Sequence, residues 1–191
     1  ITSTSATLTS LSRLKTTANA LITGKPTPIG SSGNEGQRNL DENLRPSAIE
    51  FDQYGLDPAG IVHFPDGTSW ICDKRGPFLV LVDDSAHVLK RIGPTGKLGS
   101  LPDMQRVLPD LLENRIPNQG CGGVTTRPSI NDVLFALGAP LNVDGKTAIS
   151  ARLLRLISYQ PRTGQIKQFA VPIASTEYEF RVLDIEAIND S

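Results

Sequence analysis

Few side chains in this 191-residue sequence have the types and spacing to do chemistry. Cys72 and Cys121 lack any C-x-x-C spacing, which argues against a zinc site, and they can form a disulfide only if the fold brings them together. Otherwise each reads as a small core residue, Cys72 because it follows Ile71 in an apolar run. His63 and His87 have no G-x-S-x-G elbow beside them, so a Ser/His/Asp esterase triad is not expected. Lys74 and Arg75 are adjacent cations that could hold a phosphate or could simply be a solvated loop. Asp57 before Pro58 and Asp66 before Gly67 are placed to cap turns through side-chain to backbone hydrogen bonds, and for Asp66 the turn is the favoured reading.

The elements that must position these residues follow from punctuation. Seventeen Gly and 14 Pro fall in short clusters between apolar runs of strand length, which is an all-β pattern. The runs Gly60–Phe64, Ser69–Asp73, Phe78–Val82 and Val88–Ile92 predict a four-strand antiparallel meander. A second set, Gly123–Thr126, Val133–Leu137, Leu153–Tyr159 and Ile166–Val171, has the same layout. Gly60-Ile61-Val62 matches Gly123-Val124-Thr125 at an offset of 63 residues, and Glu186-Ala187-Ile188 follows Gly122-Gly123-Val124 at 64. Repeated four-stranded units are what β-propellers are built from, because each sheet buries its faces only against its neighbours. A β-sandwich is the rival, but its strands alternate more evenly and do not restart in blocks of four.

The chain is therefore expected to be one propeller-like domain, or part of one, with an incomplete ring. Residues 55–93 and 119–172 are its blades, and 178–191 begin the next. Residues 1–23, through Ala6–Leu14 and Ala18–Thr23, read as strands of a preceding blade, and 24–48 as a surface loop. Residues 101–118 read as a short helix or turn-rich connection, because Pro102 and Pro109 interrupt a helical spacing of Leu101, Val107, Leu108, Leu111 and Leu112. Open blade edges would pair with further sequence or with another chain. With 19 basic and 20 acidic residues scattered along the chain, no basic run marks a nucleic-acid partner. No apolar run approaches a bilayer span, and Ile1–Leu14 lacks the n- and h-regions of a signal peptide.

Several ordered blocks resemble the family described as esterase-like activity of phytase. Leu56-Asp57-Pro58-Ala59-Gly60-Ile61-Val62 is similar to its D-P-E-G-I block, and Asp66-Gly67-Thr68-Ser69-Trp70-Ile71-Cys72-Asp73-Lys74-Arg75-Gly76-Pro77 to its D-G-x-F-W-V-x-D-E-Y-G-P block. Asn118-Gln119-Gly120-Cys121-Gly122-Gly123 resembles N-R-G-F-E-G-L, with Cys121 in place of an aromatic. Pro140-Leu141-Asn142 is like its Q-S-P-L segment, Tyr159–Gly164 like its Y-D-x-x-T-G turn, and Leu183–Asp190 like the block after that. The resemblance covers about residues 55–191.

The resemblance implies a secreted hydrolase of phosphate or carboxylic esters, extracellular or periplasmic, acting on a small molecule with the help of a calcium ion. Acidic residues at the starts of blades would face the propeller axis and hold the ion, which takes six to eight oxygens. Carried onto this chain, the metal set is Asp57, Asp73, Asp184 and Glu186. Asp57, Asp73 and Glu186 are the catalytic candidates, and Lys74, Arg75 and Asn118 the substrate-binding ones. For Asp73 and Asp184 a structural role stays equally open. Where the family has glutamate this chain has Ala59, Lys74 and Gly122, which removes three carboxylates and adds an ammonium. The alternative is thus a non-catalytic propeller that binds a ligand or partner.

Overall fold

Apolar and β-branched runs become strands wherever a turn residue releases the chain on both sides. The computed structural model describes residues 7–24, 26, 39–40, 46–47, 52–95, 104–127, 129–145, 150–173 and 180–188. The first large sheet is a meander of β3 (Pro58–His63), β4 (Ser69–Asp73), β5 (Phe78–Val82) and β6 (Val88–Pro94), with β7 (Met104–Leu108) added parallel to β6. The second is a meander of β8 (Gly123–Arg127), β9 (Asp132–Ala136), β10 (Leu153–Tyr159) and β11 (Ile166–Pro172). A small pair, β1 (Asn39–Leu40) with β2 (Pro46–Ser47), lies within the expected loop at 24–48, most of which is outside the described residues. The chain is all-β, and among the described residues its sheets do not close into a ring.

Turn chemistry sets the registers. At the β3–β4 hairpin Asp66 Oδ1 accepts from the Thr68 amide at 2.9 Å and the Thr68 hydroxyl at 2.7 Å, while Gly67 takes φ +86°. This is the turn role expected of Asp66, with glycine at the left-handed position. The period of two then sends alternate residues to opposite faces. Trp70, Cys72, Leu79 and Ile92 of the first sheet meet Val124, Val133, Phe135, Ile157 and Tyr159 of the second in one apolar layer. Ile71, Val80 and Val82 go to the other face of the first sheet, with Leu56, and are packed by Leu14 and Ile22 of the N-terminal segment. The two sheets approach each other closely at Gly60, where a β-carbon would sit 3.3 Å from the Val124 backbone nitrogen.

The structure adds detail to four readings of the sequence. Among the described residues, 7–14 and 18–23 carry no strand, and isolated bridges join Lys15, which lies between them, to Leu21 and to His87. Leu14 and Ile22 pack on the first sheet, whereas Leu8, Leu11 and Leu21 are exposed. The connection at 101–118 contains β7, which pairs with the free edge of β6, and a 3-10 helix, Asp110–Asn114, whose Leu112 is fully buried. Of the readings left open for Cys72 and Cys121, the fold brings the two together as a disulfide with a Cα–Cα distance of 5.9 Å, and both lie within the core. Residues 180–188, within the expected start of a blade, carry no strand. They lie along the glycines that open β8, where the Val182 amide donates to the Gly138 carbonyl at 2.9 Å. No helix among the described residues is long and apolar enough to cross a membrane.

Candidate functional site

Both meanders turn their strand entrances toward the same end of the molecule, and the loops there enclose a cleft of about 360 Å³. Asp57 and Ala59 from the start of β3, Lys74 from the β4–β5 turn, Asn118, Gln119 and Gly122 from the approach to β8, and Arg181 line it. Asp57, Lys74 and Asn118 of the expected site thus come together from places 17 and 44 residues apart in sequence (57 to 74, 74 to 118). Lys74 Nζ lies 3.8 Å from Asp57 Oδ1, with both side chains more than a third exposed. Such a pair is worth under about 1 kcal/mol and is readily exchanged for a ligand.

The cleft rests on Asp73, which is fully buried beneath it. Asp73 Oδ2 accepts from the Asp57 amide at 3.0 Å and Oδ1 from the Arg75 amide at 2.7 Å. One carboxylate therefore fixes the two strand ends that present Asp57 and Lys74. The Lys74 amide donates to the Asp57 carbonyl at 2.9 Å, and the Gly120 amide to the Lys74 carbonyl at 2.7 Å. A β-carbon on Gly120 would meet Lys74 O at 2.6 Å, so only glycine lets the second wall approach the first this closely. Burial pushes the Asp73 carboxyl up to about 6, against the pull of those two amides and of Arg91 and Arg75. Asp73 is a support of the cleft rather than a group that faces it.

Arg75 does not line the cleft beside Lys74. Its side chain is buried, with Nε and Nη1 unpartnered, and burial near Arg91 and Arg115 brings its pKa down to about 10 despite the attraction of Asp73. Its carbonyl is gripped by Arg115 through Nε at 3.0 Å and Nη2 at 2.7 Å. Arg75 thus helps to set the turn that carries Lys74. The two late acidic residues lie elsewhere. Asp184 Oδ1 accepts from the next amide, Ile185, at 2.8 Å. Glu186 lines a separate groove with Arg127, Leu134, Leu156 and Phe169 on the outer face of the second sheet.

No group of three or more His, Cys, Asp or Glu side chains among the described residues could hold a metal. Calcium wants six to eight oxygens. Here Asp57 is the single carboxylate lining the cleft and faces an ammonium, while both oxygens of Asp73 are engaged by amides. The described donors do not fit that ion.

Three features escaped the sequence reading. Gln119 and Arg181 line the cleft, and Arg181 arrives on a segment with no element of its own. The third is a charged cluster on the second sheet: Asp132, nearly fully buried, accepts from Arg127 Nε at 3.2 Å, Arg127 Nη2 at 2.5 Å and the Ser158 hydroxyl at 2.5 Å. Hairpin register could have found it, since Arg127 and Asp132 are directly paired across β8 and β9. Burial raises the Asp132 pKa, but the Arg127 and Ser158 hydrogen bonds outweigh it and leave the net shift downward.

Residues 180–188 pack directly on Gly122 and Gly123. A β-carbon on Gly122 would stand 2.5 Å from the Val182 carbonyl oxygen, and one on Gly123 would stand 2.7 Å from the Ile185 nitrogen. A family model described as Phytase-like, esterase-like activity of phytase, matches residues 8–191. Neither curated proteins nor solved structures gave a match.

Proposed function

The chain belongs to the phytase-like family, and from that premise we propose that it is a hydrolase of small phosphate or carboxylic esters acting in the cleft between Asp57, Lys74 and Asn118. The observation that carries the reading is that residues from three of the family's blocks converge there, with one carboxylate set against a readily displaced cation. An incoming anionic group would take Lys74 from Asp57, aided by Arg181 and the Asn118 amide. Asp57, so released, is the group that would orient and deprotonate an attacking water. Asp73 and Arg75 act as positioning residues beneath it. In this reading the two sheets are neighbouring blades of a propeller, and the location is extracellular or periplasmic. The disulfide supports that location, since such bonds persist in oxidising compartments.

Calcium assistance, which the family implies, has no ligand set among the described residues, and no step here is routed through it. The second reading, a propeller that binds an anionic ligand without turning it over, is favoured by one specific observation. Ala59, Lys74 and Gly122, the positions where the family has glutamate, all line the cleft. Hydrolysis of an aryl phosphate and of a short-chain aryl ester, each with added calcium and with a chelator, separates the two. Turnover that is lost in Asp57→Asn supports the hydrolase, and binding of phosphate without turnover by folded protein supports the binding module. Ala59→Glu with Lys74→Glu is the useful restoration, because Gly122→Glu would collide with the Val182 backbone.

A further inference from the structure

The two walls of the cleft belong to different sheets, and what joins them differs from one end of the sheet interface to the other. At the far end, where the hairpin turns lie, the Trp70 and Tyr159 rings meet edge to face at 5.7 Å, and Lys90 Nζ donates to the Tyr159 hydroxyl at 3.1 Å. The apolar layer continues from there between β4, β5 and β9, β10. At the cleft end the walls meet through the Gly120 amide on the Lys74 carbonyl and through the bond between Cys72 and Cys121. Cys72 directly precedes Asp73 and Lys74, whereas Cys121 lines the cleft itself and follows Asn118 and Gln119. The bridge is thus attached beside four of the groups that define the site.

We propose that the cleft is completed by oxidation: the sheets form first, and closure of Cys72 with Cys121 then brings segment 118–122 against the 73–76 turn. The two thiols give up two electrons and two protons in all to an oxidant that carries a disulfide, such as glutathione disulfide. That oxidant's S–S bond breaks to two thiols as the Cys72–Cys121 bond forms, through a mixed disulfide. Both cysteines end essentially inaccessible, 0 % and 2 % exposed, so reductant does not reach the bond while the sheets stay packed. Closure is a maturation step. The apolar layer and the Trp70–Tyr159 contact hold the sheets without it.

The test is amide exchange of the full chain refolded with and without glutathione disulfide, read on peptides covering 73–76, 118–122 and strands β9 and β10. Without oxidant, exchange at the Gly120 amide, whose bond to the Lys74 carbonyl crosses the cleft, should quicken by about tenfold or more while β9 and β10 keep their protection. The Cys72→Ser/Cys121→Ser variant should show that pattern in both buffers. Equal protection of 118–122 in the two preparations overturns the proposal, as does a double variant that matches the oxidised chain. Loss of protection throughout β9 and β10 in the reduced chain also overturns it, since the bond would then be needed for the fold and not for the cleft alone. None of these readouts depends on turnover, so the result stands apart from the hydrolase reading.

Discussion

The two sheets are the same meander in opposite circumstances. The first is covered on both faces, by the second sheet on one side and by Leu14, Ile22 and Leu56 on the other. Among the described residues the second is packed on one face by the first sheet and on the other only in part, by residues 186–188. Its outer side carries Leu134, Leu156 and Phe169 along a groove, and β11 is exposed almost throughout, with Phe169 at 42 %. Their buried carboxylates diverge in the same way. Asp73 sits under the cleft with backbone amides for partners, and burial dominates its titration. Asp132 sits on the outer face with a guanidinium and a hydroxyl on it, and those partners dominate. Desolvation raises both; direct side-chain hydrogen bonds from Arg127 and Ser158 reverse it at Asp132, whereas two amides and the attraction of Arg91 and Arg75 do not at Asp73.

Replacement of an inward aromatic should break the pairing of the sheets most severely. Phe135, fully buried in the shared layer, should cost about 3–5 kcal/mol on truncation in Phe135→Ala, measured by urea denaturation. A loss below 1 kcal/mol would mean that the sheets are not held by that layer. The carboxylates sharpen the contrast through pH. Asp73, at about 6 folded against 3.8 otherwise, holds a proton that the unfolded chain has released. Its contribution to stability is therefore full below about pH 4 and falls as pH rises to about 6, by roughly 3 kcal/mol. Asp132, shifted down, has the opposite sign: its stabilisation is present above 3.8 and is lost as pH drops through its folded value. Denaturation midpoints of Asp73→Asn and Asp132→Asn between pH 3 and 7 should depart from the parent in opposite directions, and parallel curves would remove the distinction.

A smaller effect is expected where the second sheet meets residues 180–188. Gly123→Ala places a methyl 2.7 Å from the Ile185 nitrogen and 2.8 Å from the Asp184 Cα, and should cost about 1–3 kcal/mol. It should also free this stretch, so that trypsin cuts after Arg181 faster than in the parent chain. Unchanged cleavage would show that the contact does not hold it. The smallest effect belongs to the open face: Phe169→Ala should change stability by about 0.5 kcal/mol or less, as an exposed side chain does. A cost near that of Phe135→Ala would mean that this face is covered after all.

Strand identity was legible because the turn residues are local. Ser69–Asp73, Phe78–Val82 and Leu153–Tyr159 lie where the Gly, Pro and Asp clusters around them predict. The family was legible for the same reason, since its blocks are short and ordered along the chain. The site was only partly so. Asp57, Lys74 and Asn118 were found through those blocks, but Arg75, next to Lys74 in sequence, faces inward because a tight turn separates neighbours to opposite sides. β7 was hidden by two prolines, and it exists because the edge of β6 needed hydrogen bonds that no local pattern announces.

What the sequence determined by itself was the all-β class, the two meanders, the hairpin at Asp66-Gly67 and membership of the family, all set by residue type and near-neighbour spacing. What only the tertiary structure decided was the bond between cysteines 49 residues apart and the gathering of the cleft. It also decided the burial of Asp73 and Arg75 and the packing of residues 180–188 on glycine. Those depend on which faces meet, and the meeting of faces is fixed by the combined burial of side chains distant in the chain.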